Sequence, residues 1–198
     1  MAQQAQNLII EADDCVTLTP DSPRYKDAIQ QYRPQTIAEV RKLIGPSPAG
    51  AGGAASPACC LPPELSASLP DPDMLTAQDE QVRFRARMLA VTAASAYVRA
   101  ADTRDFKQFE PALDRFIQLS KPILFSFLFA DIDIASGATL TLAKNAHILF
   151  AGNIRMHGTG RIVCKGPTTI RATTVNGRIR PSVIGSAELN AAQNIMRS

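Results

Sequence analysis

The sequence predicts an α+β protein: a short parallel β-solenoid with coils of about 22 residues, packed against an N-terminal αα-hairpin and preceded by an extended N-terminal arm. Three observations carry this. Between Asp131 and Ala172 apolar residues come in alternating pairs, and the pattern returns 22 positions later. Ile132 and Ile134 return as Ile154 and Met156, Leu140 and Leu142 as Ile162 and Cys164, and Ile148 and Phe150 as Ile170 and Ala172. Upstream, residues 76–120 carry helical periodicity in two runs, and residues 46–75 are rich in Pro, Ala, Gly and Ser with no period at all. The expected organisation is therefore an arm with short helices over 1–45, a linker over 46–75, the αα-hairpin over 76–120, the β-solenoid over 121–185 and a capping helix over 186–198.

The 198 residues are 45% hydrophobic and 20% charged, which excludes a wholly disordered chain and leaves room for one sizeable core or two small ones. The N-terminal Met1-Ala2-Gln3-Gln4-Ala5-Gln6 has neither a basic nor a long apolar region, so the expectation is no secretory signal and a cytoplasmic location. The densest apolar run, Ile123 to Ala130, is too short for a membrane span. Cys15, Cys59, Cys60 and Cys164 lack metal-site spacing and read as reduced thiols, with Cys164 at an inward strand position.

The net charge of +3 hides an asymmetry. From Ala143 onward eight basic residues stand against Glu188 alone, a charge of +7, so the first 142 residues carry −4. Such a split predicts an anionic partner for the C-terminal part, or pairing between the two parts within or between subunits.

Leu8-Ile9-Ile10, and then Val16 and Leu18, alternate with polar residues about an Asp13-Asp14 turn, the pattern of a small hairpin or an edge strand. Pro23 after Asp21-Ser22 opens a short helix expected to reach Tyr32. Thr36-Ile37-Ala38-Glu39 is a capping box for a second helix, which Gly45-Pro46 ends. Thr76-Ala77-Gln78-Asp79 opens the longest helix, expected to reach Ala101. Val82, Ala86, Leu89, Ala93 and Ala96 make one stripe on it and Phe84, Met88, Val91 and Val98 a second, so a wide buried face is expected. Arg83, Arg85, Arg87 and Arg99 read as a solvated face rather than a nucleic-acid face, with Glu80 pairing Arg83. Pro111 marks the first turn of the next helix, with Asp105 to Glu110 as a turn leading in, and Phe106, Phe109, Leu113, Phe116 and Ile117 of this segment supply bulk against the alanines of an antiparallel αα-hairpin. After Lys121-Pro122 the run Ile123–Phe129 is apolar on both sides, predicting a strand covered on both faces and forming the first coil element.

The 22-residue register stacks Asp133 with Arg155, Asp131 with Asn153 and Thr139 with Arg161 on the outer face, about 4.8 Å apart. Asp131 and Asp133 point the same way, but Arg155 occupies one carboxylate and the next coil offers no third acid, so neither a metal site nor a pair of catalytic acids is expected. His157-Gly158-Thr159-Gly160 reads as a corner between strands, without the glycine spacing of a phosphate loop. His147, on an outward position with Thr169 above it, has no carboxylate partner in sequence.

The general shape is similar to right-handed parallel β-helix proteins, a likeness of fold that leaves function open. No catalytic residue, cofactor or metal is expected. The leading expectation is a non-enzymatic structural protein that self-associates into a homo-oligomer or filament through its solenoid and arm. The alternative is a binding module for an anionic polymer, nucleic acid or acidic polysaccharide, on a basic face of Arg155, Arg161, Lys165, Arg171, Arg178 and Arg180. A β-helix carbohydrate-active enzyme is the third reading, disfavoured by its lack of an outward acidic cluster.

Overall fold

The computed structural model describes residues 5–45, 71–100, 102–177 and 179–181. It is a mixed α+β protein with parallel strands in two sheets. The chain divides into two compact units: one holds the residues through Tyr32 and those from Leu124 onward, the other those from Arg33 to Ile123. The expected capping helix over 186–198 and the pair Cys59-Cys60 lie outside the described residues, as does most of the linker.

The first unit is built of β1 (Gln6–Ile10), β2 (Cys15–Leu18), β3 (Ile29–Tyr32), β4 (Leu124–Ile134), β5 (Thr139–Leu142), β6 (Ile148–Met156), β7 (Arg161–Cys164), β8 (Thr169–Asn176) and β9 (Ile179–Pro181). One sheet runs β1-β4-β6-β8, with β3 antiparallel on β4, and the other β2-β5-β7-β9. Apart from β3 every pairing is parallel, and the chain alternates between the sheets. The predicted register holds where the alternation is clean. Ile132 lies opposite Ile154 and Ile134 opposite Met156, while Leu140 and Leu142 face Ile162 and Cys164. Their side chains meet in one core with Leu8, Ile10, Val16, Leu18, Phe127, Phe129 and Leu149.

Three sequence expectations for this unit need correction. Residues 6–18 do not form a free arm: β1 and β2 pair with β4 and β5 rather than with each other, so the edge strand is right and the hairpin is not. Leu8 and Ile10 complete the columns of Ile132 and Ile134, and that burial fixes them. It also means that β4, expected as a first element, is not an end strand of its sheet, since β1 and β3 lie along one side of it and β6 along the other. Next, Pro23 opens only a 3₁₀ turn over Pro23–Ala28, which Tyr25 interrupts at φ −117°. The chain then extends as β3 along the free first half of β4, and Tyr25 is buried edge-on against Phe129. Lastly, Ile148 pairs with Thr169, and Leu149 with Ile170, one position off the expected match. The chain between β7 and β8 is one residue shorter than that between β5 and β6, so the offset drops from 22 to 21. The segment 148–151 is apolar at both parities, so alternation alone could not choose Leu149 over Ile148 as the partner of Phe127.

The long strands bend midway. Phe127 and Phe129 enter the core from odd positions, Ile132 and Ile134 from even ones, and the following strand repeats the switch from Leu149 and Ala151 to Ile154 and Met156. At the bend a Cβ on Gly152 would lie 2.5 Å from the Ala130 carbonyl oxygen, so only glycine lets the two backbones approach. The first half of β4 is buried on both faces, through Leu124 and Ser126 as well as Phe127 and Phe129, as its uninterrupted apolar run predicts.

The second unit holds α1 (Ile37–Ile44), α2 (Glu80–Arg99) and α3 (Glu110–Ser120), with 3₁₀ turns over Pro72–Thr76 and Arg104–Phe109. Thr36 caps α1 by accepting from the Glu39 N–H, and Glu39 accepts in return from Gln35, one residue short of the reciprocal bond of a full capping box. The N-cap of α2 is Asp79, not Thr76: its carboxylate accepts from the N–H groups of Gln81 and Val82, while Thr76 ends the preceding 3₁₀ turn. Tyr97, late in α2, donates to Glu110 at the start of α3, and Ala86 and Ala90, early in α2, cluster with Phe116 late in α3. That order is antiparallel. The core gathers Phe106, Phe109, Leu113 and Ile117 against Ala93, Ala96, Ile37 and Val40.

The wide buried face expected of α2 is half right. Ala86, Ala90, Ala93, Ala96 and Tyr97 are buried, but Phe84, Met88 and Val91 are 64%, 53% and 46% exposed. Small alanines admit the bulky side chains of α3 and the turns only along a narrow line, which leaves out Phe84, Met88 and Val91 of the second stripe and Val82 of the first, while Val98 still packs on the core. Arg83 reaches the Ala77 carbonyl rather than the expected Glu80.

Candidate functional site

The outer face of β4, β6 and β8 carries a polar ladder. Strand pairing sets Asp131, Asn153 and Thr174 in one row and Asp133, Arg155 and Asn176 in the next. The Asp131 Oδ1 accepts from the Asn153 backbone N–H at 2.9 Å and from its side-chain amide at 2.7 Å, and Thr174 Oγ1 donates to Asn153 Oδ1 at 2.7 Å. Opposite Arg155 in register stands Asp133, as the 22-residue spacing predicts, yet the guanidinium leans to Asp131 at 3.8 Å. Asp133 instead meets His157 Nε2 at 3.0 Å, a pairing the sequence reading missed because it assigned His157 only to a corner. Both carboxylates thus have protein partners, and the ladder joins consecutive strands. Among the described residues no group of three or more His, Cys, Asp or Glu is placed to hold a metal ion.

His147 serves the same linking purpose. Its Nδ1 accepts from the Phe125 N–H at 3.2 Å, its backbone N–H donates to the Phe125 carbonyl, and its ring stacks on the Phe125 ring with centroids 6.4 Å apart. Burial holds the imidazole below its ordinary value of 6.5 and so favours the neutral, accepting form. Cys164, turned to the core, has its thiol pushed up to about 11 by burial, whereas Cys15 is exposed.

The basic residues singled out in the sequence are distributed over both sheets. Arg155 lies in the second half of β6, Arg161 starts β7 with its Nε on Thr139 Oγ1 at 3.2 Å, Lys165 follows β7, and Arg171 lies over the Phe150 ring in the first half of β8. Arg180 is in β9, opposite Val163, and Arg178 lies outside the described residues.

The corners between strands stack as well. Glu11–Asp14, Ala135–Ala138 and His157–Gly160 each span four residues between one sheet and the next. Ala135 N donates to Ile10 O, His157 N to Ile134 O, Thr139 N to Asp14 O and Arg161 N to Ala138 O. Gly137, at φ +84°, lies directly under the Asp13 carboxylate, and Asp13 itself has φ +61°. The Asp13-Asp14 turn, read in sequence as merely structural, thereby becomes the acidic end of a column of corners. At the other end of the sheets Gly177, at φ +122°, follows β8. Among the described residues no strand pairs with the outer sides of β1 and β2, or with those of β8 and β9.

No family model, no curated protein and no solved structure matches this chain. No described helix is long and apolar enough to cross a membrane.

Proposed function

We propose that the two sheets are the walls of a four-coil β-solenoid, and that the protein is a non-enzymatic structural protein that self-associates into an oligomer or filament. One observation supports this reading above the others: the sheets are parallel and in register, and among the described residues both ends of the stack present strands with an unoccupied edge. Such edges carry rows of backbone N–H and C=O groups that another strand satisfies, and terminal coils of a repeat stack need covering. The outer polar rows favour the same reading, because their side chains bond to one another from coil to coil. In light scattering on the full chain, the apparent mass rises with protein concentration. A constant monomer mass between micromolar and near-millimolar concentration rejects the reading.

A second reading, polyanion binding, rests on the stretch between Asp133 and Glu188, which has basic residues and no acid. Its signature is a monomer that binds an anionic polymer with a steep salt dependence.

A further inference from the structure

The two ends of the stack differ in charge and match in register. The first pass, through β1 and β2, holds Glu11, Asp13 and Asp14, and the chain has no Lys or Arg before Arg24. The last pass holds Lys165, Arg171, Arg178 and Arg180 and no acid. Within one molecule the columns are continuous: Leu8, Ile132, Ile154 and Val175 stack in one, and Val16, Leu140, Ile162 and Ile179 in another. Each column thus begins and ends in an apolar residue.

We infer that copies of this chain join head to tail, the β1–β2 end of one seated on the β8–β9 end of the next in the same parallel register. This rests on the self-association reading and adds its direction. In that arrangement Leu8 continues the column that ends in Val175, and Val16 continues the one that ends in Ile179. The acidic Glu11–Asp14 corner then faces the end formed by β8 and β9, whose strands carry Arg171 and Arg180, so opposite charges meet at the seam. Head-to-head contact would set Glu11, Asp13 and Asp14 against their own copies, and tail-to-tail contact would set arginines against arginines. A seam between unlike ends does not close on two copies, so it propagates along the stack axis.

Thr17 is exposed on β2, and the column Thr17, Thr141, Val163, Arg180 places it above Arg180 of the preceding copy. Neighbouring strands lie about 4.8 Å apart, within the Cα separation of about 4.4–6.8 Å that a disulfide spans. Full-length Thr17→Cys and Arg180→Cys chains are therefore prepared separately, then oxidised alone and mixed. Head-to-tail contact gives a new crosslinked dimer only in the mixture, and a ladder of multimers from the double variant. Crosslinking of Thr17→Cys with itself, beyond what the native cysteines give, overturns the proposed direction but leaves self-association standing. A mixture without the dimer, from chains whose mass still grows with concentration, overturns the seam in the same way. A mass that never grows overturns both. Independently, Glu11→Lys with Asp13→Asn, a residue that tolerates the left-handed backbone, weakens association at low salt about tenfold or more, and 0.5 M salt narrows the gap to wild type. An unchanged association constant for this variant rejects the charge pairing at the seam.

Discussion

The two units bury their apolar side chains by different rules. In the β unit Ile132, Ile154 and Val175 occupy equivalent places on successive strands, and nothing in that pattern says where to stop. In the helical unit Phe106, Phe109, Leu113 and Ile117 close around the alanines of α2 and around Ile37 and Val40, a core with no repeat. A repeating core leaves its unfinished surface at the strand edges. The helical core leaves instead the exposed line of Phe84, Met88 and Val91 along α2. Each unit therefore offers a different surface for association, one of backbone edges and one of apolar side chains, and the two are separable by mutation.

The largest expected effect comes from breaking a column. Ile154 is fully buried between Ile132 and Val175, so Ile154→Ala costs about 2–5 kcal/mol of stability through lost transfer energy and the cavity left behind. Denaturant titration monitored by circular dichroism measures it, and a loss under about 1 kcal/mol would mean that the column is not tightly packed.

A smaller effect follows from His147. Its folded imidazole sits below the ordinary value of 6.5, so the unfolded chain takes up a proton at that value while the folded chain resists. The β unit is accordingly at full stability above that pH and loses part of it as pH falls below, until the folded ring itself protonates. Replacing the ring by an uncharged acceptor, His147→Gln, flattens this part of the profile. If thermal midpoints of wild type and variant run parallel from pH 8 to pH 5, His147 does not titrate as described.

The smallest effect is expected on α2. Phe84 and Met88 are over half exposed, so Phe84→Ser together with Met88→Ser changes unfolding free energy by roughly 0.5 kcal/mol or less. The same variant sharpens the comparison, because its association constant stays at the wild-type value if strand edges, not α2, join the copies.

Much of the β unit was legible because alternation and a 22-residue spacing are direct consequences of strand geometry and stacking. Ile132, Leu140 and their counterparts were assigned from sequence alone, and so were the rows of Asp131 and Thr139. What stayed hidden required contacts over long separations. Leu8 and Ile10 lie more than a hundred residues from Ile132 and Ile134 in sequence, so no local pattern announces their pairing. Ile148 and Leu149 are both apolar, and only the length of the next corner decides between them. Arg155 and Asp133 were matched by register, but side-chain reach, which register does not contain, gave Asp133 to His157. On α2 the two apolar stripes look equivalent, and only the number of bulky partners on α3 and its flanking turns determines which of their residues are covered.

Whether open strand edges of the β unit join the copies is read from amide hydrogen exchange at low and high protein concentration, peptide by peptide. The expected result is slower exchange at high concentration in Gln6–Ile10, Cys15–Leu18 and Thr169–Asn176, with Glu80–Arg99 unchanged. Protection that grows along Glu80–Arg99 and leaves the three edge segments untouched would contradict it.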